Sequence, residues 1–196
     1  MVTVGGLRRY SAHYTHPMRP KTSVYIATTL DGFIARADGS LDWLEHDSGS
    51  DDYGFKAFTS SIDSMVLGRA TYEQVLGFGE WPYTGKHVIV PSSTLTADDV
   101  PEALRAEVEI VDDEPSGLLA GLSSQGFKHA WVDGGRTIQR FLQDGLIDEI
   151  TISRIPILIG EGIPLFGVLS SDIKLKHVET ASFDSGLVQS TYRVGE

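Results

Sequence analysis

The 196-residue chain contains no cysteine. That removes disulfides, zinc–thiolate sites and a cysteine nucleophile from consideration, and it fits a cytoplasmic protein. Long apolar runs are also missing. None approaches the roughly 20 residues that a membrane-spanning helix needs, and the N-terminus has no apolar core like that of a secretory signal. Positive charge is in short supply: 16 Lys and Arg stand against 27 Asp and Glu, a formal net charge of −11. Nucleic acid is therefore not an expected partner, because neutralising phosphates takes a basic surface. The six histidines are scattered with no H-x-x-x-H pair, so no metal site is expected. Neither a Walker lysine loop nor a G-x-S-x-G elbow occurs, and Gly160-Glu161-Gly162-Ile163-Pro164 breaks the dinucleotide-binding glycine fingerprint.

What is present is an alternation of short apolar strands with amphipathic helices. His129 to Val132 reads as a buried strand, Gly134 and Gly135 follow, and Ile138, Phe141 and Leu142 share one helical face. Gly145 suits a left-handed helix stop, and Leu146 to Ile155 reads as the next strand. Adjacent glycines let a ligand approach the main chain, and a helix start offers free N–H groups and the positive dipole end to phosphate. Many glycine turns between strand and helix bind nothing, however. Ser64 to Leu67 followed by Gly68-Arg69-Ala70-Thr71 repeats the design with an arginine in the first helical turn. That arginine opposes the helix dipole unless an anion joins it.

Residues 1–22 read as a flexible leader, with Met18 a possible alternative start, and residues 23–196 as a single domain. Strands are expected at Ser23 to Leu30, Lys86 to Val90, Val108 to Val111, Ile173 to Ala181 and Leu187 to Val194. Phe55, Phe58 and Ile62 suggest a short helix, and Leu118, Leu119 and Leu122 the core face of another. The count is about eight strands and four helices. That predicts an α/β fold: a mainly parallel sheet with helices on both faces and an antiparallel hairpin at the C-terminal edge.

Five segments carry a family resemblance: SVYIATTLDGFIA, DGSLDWL, DSMVLGRATYE, WVDGGRTIQRFL and LIDEITISRIPILIGEGIPLF. In their order and spacing they resemble the dihydrofolate-reductase-like family, and most closely the reductase domain of riboflavin biosynthesis, often fused to a deaminase. The resemblance runs from Ser23 to Val194 and implies a three-layer α/β/α fold that binds NADPH across the carboxyl ends of its parallel strands. By resemblance, Gly68, Arg69 and Thr71 hold the adenosine-side phosphates, with Arg69 on the 2′-phosphate, and Ser92 and Ser93 form the second adenosine-side loop. Gly134, Gly135, Arg136, Thr137 and Ile138 take the pyrophosphate. Ala27, Ile34 and Trp43 lie near the nicotinamide, and Asp31, Trp43 and Asp51 are catalytic candidates. Asp31 and Asp51 also have ordinary readings, as a turn former and as part of a helix cap (with Asp52).

The activity implied is NADPH-dependent reduction like that of 5-amino-6-(5-phosphoribosylamino)uracil reductase. The alternatives are reduction of dihydrofolate or of another small heterocycle or ketone, a flavin-dependent reductase, and an NADPH-binding module without catalysis. A small-molecule substrate and a homodimer are expected.

Overall fold

The computed structural model describes residues 19–46 and 51–195. Its strands are β1 (Lys21–Thr29), β2 (Phe33–Ala35), β3 (Ser64–Leu67), β4 (His87–Pro91), β5 (Val108–Val111), β6 (His129–Asp133), β7 (Glu149–Ile155), β8 (Ile163–Pro164), β9 (Leu175–Ser182) and β10 (Val188–Val194). Its helices are α1 (Phe55–Ser61), α2 (Arg69–Leu76), α3 (Pro115–Ser124) and α4 (Gly135–Gln143).

Eight strands form one sheet in the order β5-β4-β3-β6-β1-β7-β10-β9. β5 through β7 in that row are parallel, and β10 and β9 close the edge as the expected antiparallel C-terminal hairpin. A ribbon of β2 and β8 lies apart from the main sheet. From β1 the chain crosses to β3 and steps outward through β4 and β5. It then returns to lay β6 between β3 and β1 before continuing to β7. The crevice above the carboxyl ends of β3 and β6 is where open α/β sheets bind their ligands.

Strand alternation sorts the core into two layers. Ala130 and Val132 of β6 face Leu118, Leu119 and Leu122 of α3 and Ile138, Phe141 and Leu142 of α4. Trp131, between them in sequence, faces the other way, into a cluster with Met65, Leu67, Tyr72 and Phe58 from β3, α2 and α1. One residue of slip would exchange these sets, so the register is strongly specified. Full burial of a side chain such as Phe141 contributes about 1.5–3 kcal/mol. Helix α4 stops where Gly145 takes φ 66° and donates its N–H to Leu142 O.

The expected leader boundary needs correction. Strand β1 begins at Lys21, and Thr22 is fully buried. Arg19 makes a two-pronged bond to Asp148 (2.8 and 2.7 Å), whose Oδ2 also accepts the Thr22 N–H at 2.8 Å. Residues 19–22 therefore belong to the fold, while residues 1–18 lie outside the described residues. Strand β7 likewise starts later than expected, at Glu149 and not at Leu146. Burial would raise the Asp148 carboxyl pKa, but Arg19 and Thr22 outweigh it and hold the carboxyl below its ordinary range.

Candidate functional site

The two glycine turns meet back to back. Because β3 and β6 are neighbours, with Leu67 opposite Asp133, the turns that follow them emerge side by side. Gly68 donates its N–H to Asp133 O at 2.9 Å. A Cβ on Gly68 would come within 2.6 Å of Thr137 Oγ1, and one on Gly134 within 2.9 Å of Thr71 Oγ1 and 3.2 Å of Gly68. Each helix thus sets a first-turn threonine over the other turn's glycine. Gly134 also has φ 98°, which a Cβ would strain. At Gly135 a Cβ would meet Ile34 Cδ1 at 2.8 Å, so the β2–β8 ribbon presses on the start of α4. The glycines are explained by protein packing alone. What they leave for a ligand is the pair of adjacent helix starts, whose first N–H groups have no intrahelical partner.

The adenosine-side candidates also converge. Arg69, the first residue of α2, donates to Thr94 Oγ1 at 3.0 Å and lies 4.0 Å from Glu73. Ser92 Oγ accepts the N–H groups of Leu95 (2.9 Å) and Thr94 (3.2 Å), which shapes the loop after β4. Ser93 is exposed on that loop, and Arg136 is exposed in the first turn of α4. Arg69, Ser92 and Thr94 therefore form one polar group beside the paired turns. Thr94 was not singled out in the sequence, where nothing but its place after Ser92-Ser93 marks it. This donor set suits a phosphate-bearing dinucleotide: two helix starts, a guanidinium and hydroxyls along one sheet edge.

The catalytic candidates fare differently. Trp43 is 0% exposed, packed among Ile155, Leu187, Ala27 and Phe183, and cannot touch a substrate as placed. It acts as a core residue beneath the strand ends, and Ala27 is part of its wall. Asp31 is exposed and fully engaged: it accepts from Thr29 Oγ1 (2.5 Å) and from the N–H groups of Ile159 (3.1 Å) and Gly160 (2.8 Å). The Thr29 bond leads in lowering its carboxyl pKa. Its role in the structure is to staple the β1–β2 turn to the loop between β7 and β8. Asp51 is exposed ahead of α1, and its neighbour Asp52 caps that helix through Gly54 N–H and Lys56 N–H. Ile34 alone of the nicotinamide-side trio borders a glycine turn.

The carboxylate that does sit at the crevice is Asp133, the last residue of β6, which went unselected in the sequence. Its Oδ1 accepts the Gly134 N–H at 2.8 Å. The residue keeps some exposed surface, but the carboxyl is set deep, and burial pushes it up to about 6. Alternation puts it on the same sheet face as Trp131, toward α1 and α2. Burial, and secondarily the Asp133 charge, also raise the Tyr83 phenol, which stays protonated. The available signal was an acid ending an apolar strand just before the paired glycines. Among the described residues no group of acidic and histidine side chains could hold a metal ion, and no helix is long and apolar enough to cross a membrane.

Comparison with known proteins agrees with this fold. The model of the RibD C-terminal domain matches residues 20–189. The uncharacterized protein YwjB of Bacillus subtilis (strain 168) is 35% identical over 169 residues, covering 85% of this chain and 94% of the relative. A solved structure from Shewanella sp. PV-4, named for riboflavin biosynthesis, is 40% identical and superposes with a TM-score of 0.84 over 90% of this chain and 99% of its own. Dihydrofolate reductase from Enterococcus faecalis, solved with NADP(H), shares the fold at 20% identity and a TM-score of 0.63, over 90% of this chain and 97% of its own. With its glycine turns, sheet order and C-terminal hairpin in place, the chain belongs to the RibD C-terminal domain family of reductase-like proteins.

Proposed function

We propose that this protein is an NADPH-dependent reductase of a small heterocyclic or carbonyl compound, of the type exemplified by 5-amino-6-(5-phosphoribosylamino)uracil. The observation that carries the reading is the meeting of Gly68 and Gly134 beside Asp133. It puts two helix starts of the kind that suits phosphate and one protonatable carboxyl at the same strand ends. Arg69, Thr94 and Ser92 receive the adenosine phosphate. The starts of α2 and α4, with Thr71 and Thr137, receive the pyrophosphate. Ile34 and Ala27 flank the nicotinamide end. Bound NADPH supplies the hydride, delivered to the carbon of a C=O or C=N group. Asp133 supplies the matching proton to the oxygen or nitrogen and is reprotonated from water. A carboxyl titrating near 6 is a far better acid at neutral pH than an ordinary aspartate, which would be almost wholly ionised.

The experiment is a calorimetric titration with NADPH and NADH, followed by NADPH consumption with the phosphoribosylaminouracil and with dihydrofolate. Arg69→Ala should weaken NADPH far more than NADH, since only NADPH carries the 2′-phosphate. No heat with either coenzyme would remove the proposal. Tight NADPH binding with no turnover on either compound would leave a binding module. A homodimer is the proposed assembly, through the surface that exposes Leu158, Phe166, Val168 and Leu169, and sedimentation of the native chain tests it.

A further inference from the structure

Helix α1 is short and owes little to burial: none of its residues, Phe55 to Ser61, is buried. Ring contacts hold it to the sheet. Phe58 stacks on Tyr25 with centroids 4.6 Å apart and meets Trp131 edge to face at 5.3 Å, and Phe55 reaches the same two rings at 6.0 and 5.8 Å. Phe58 also approaches His129, the first residue of β6, at 6.4 Å, and Ser61 O lies 3.0 Å from Nδ1 of that histidine. The helix therefore runs opposite to β6, with its last turn at the amino end of the strand and Phe55 toward the carboxyl end. On that face the next side chains beyond Tyr25 and Trp131 are Ala27 and Asp133, a rise of about 7 Å. Phe55 is 43% exposed, so its open side borders the reacting end of the crevice. The β1–β6 ladder ends at Ser23 and Trp131, although β1 continues to Thr29 and β6 to Asp133. Phe55 bridges the two strands at the point where their ladder ends.

A polar clasp holds the entry to α1. Tyr53 has φ 52°, the one positive value at a non-glycine among the described residues, and Gly54 follows at 85°. A left-handed tyrosine is strained and persists only where its surroundings impose it. Its carbonyl oxygen accepts the Tyr25 hydroxyl at 2.5 Å and the Gln189 side-chain amide at 3.1 Å. The same amide nitrogen lies 2.8 Å from Tyr25 Oη and 2.9 Å from Ser153 Oγ, so its two hydrogens are shared among three acceptors. Burial leads in raising the Tyr25 phenol pKa, which keeps that donor protonated. The Tyr53 ring packs edge-on against Phe183 at 4.7 Å, and its hydroxyl donates to Ser185 Oγ at 3.3 Å, in the turn before β10. Side chains of β1 and β10 thus converge on one backbone carbonyl, two residues before Phe55, with Ser153 of β7 bracing the amide.

We infer that Gln189 is a positioning residue: by clasping Tyr53 O it sets α1 as the substrate-side wall of the crevice and presents the Phe55 ring to a planar substrate. Aromatic rings favour offset-stacked or edge-on ring partners, so such a wall selects a heterocycle over an aliphatic ketone. What the wall touches rests on the reductase reading, while the clasp itself does not. Gln189 acts only through Tyr53.

Gln189→Met keeps the length of the side chain without its donors, and Phe55→Ala removes the ring. Amide hydrogen exchange of residues 54–61 reads the clasp with no substrate present. Gln189→Met should speed it about three- to tenfold, the worth of one hydrogen bond, while exchange in β3 and β6 stays the same. With the phosphoribosylaminouracil or dihydrofolate, whichever is reduced, KM should rise by a similar factor, with kcat and NADPH affinity held within about twofold. Phe55→Ala should raise KM at least as much, and the double variant should be no worse than Phe55→Ala alone, because Gln189 works through that ring. Unchanged exchange in α1, loosening that spreads equally through β3 and β6, an unchanged KM, or additive effects of the two substitutions overturns the proposal. Should Gln189→Met fail to fold, Tyr25→Phe decides: it removes the other donor to Tyr53 O, keeps its ring on Phe58, and should give the same pattern, whose absence removes the proposal. If neither compound is reduced, the reductase reading fails, and α1 exchange alone decides the clasp: faster exchange in Gln189→Met supports it and unchanged exchange removes it.

Discussion

Gly68 donates its backbone N–H to the carbonyl oxygen of Asp133 across 2.9 Å, and that one bond ties the two glycine turns into a single unit. The side-chain counterpart is Thr137, whose hydroxyl fills the space a Cβ on Gly68 would need. Gly68→Ala should therefore destabilise the protein by about 1–3 kcal/mol, the usual cost of overpacking. Thr137→Ala should return part of that loss. A thermal-denaturation double-mutant cycle checks this, and strict additivity of the two changes would refute the contact.

Asp133→Asn should lower kcat by roughly 10²–10⁴-fold while NADPH affinity stays nearly constant. On the proposed reductase reading, the acid form of the unmutated protein declines as pH rises through about 6, so kcat should fall above that pH. The variant should lose this limb of the profile.

The same carboxyl has a stability consequence of opposite sign. Its folded pKa lies above its unfolded value, so its favourable contribution is present below about pH 4 and is lost as pH rises through about 6. Asp133→Asn should accordingly raise Tm at pH 7.5 and leave it nearly unchanged at pH 4. A stability cost of this kind is what the proposed role of Asp133 as proton donor entails.

His129 lies at the amino end of β6, half-buried, with Nε2 2.8 Å from Ser23 Oγ and Nδ1 3.0 Å from Ser61 O. Burial leads in depressing its pKa, with Lys21 adding to the effect and Glu149 and Asp63 opposing it. The folded state holds the ring neutral and the unfolded chain does not, so stability should decline as pH falls below about 6.5. A denaturation series from pH 7.5 to 5 should show that slope, and His129→Asn should flatten it.

Arg19→Ala should cost about 1–2 kcal/mol, a charged hydrogen-bond pair discounted because the Asp148 side is partly open to solvent. A chain shortened to begin at Ser23 should lose more, since it also gives up the Thr22 contacts. Urea denaturation of both reads the difference.

Much of this architecture was legible before any coordinates. Apolar strands alternating with helices pointed to the class, and the apolar run Ala130-Trp131-Val132 marked a buried strand. Family resemblance picked out Arg69, Ser92, Gly134 and Gly135, which the fold does gather at one edge. Partnerships between distant residues were not legible. Nothing local marks β2 as the partner of β8, or Arg19 as the mate of Asp148. Trp43 and Asp31 stayed ambiguous in the sequence because a large aromatic and a turn aspartate look alike whether they face a substrate or their own fold. Asp133 was overlooked because its signal is burial, and burial belongs to the assembled sheet.

Strand β6 comes late in the chain and fills the middle of the sheet. A nascent polypeptide that has emerged only as far as α3 would hold β1 and β3 with an empty lane between them, each presenting an unpaired edge. The lane closes when His129 to Asp133 slides in, and the second turn arrives with it. Coenzyme affinity and completion of the sheet should therefore appear together during synthesis, and a stalled chain ending before residue 129 should be a prime client for chaperones.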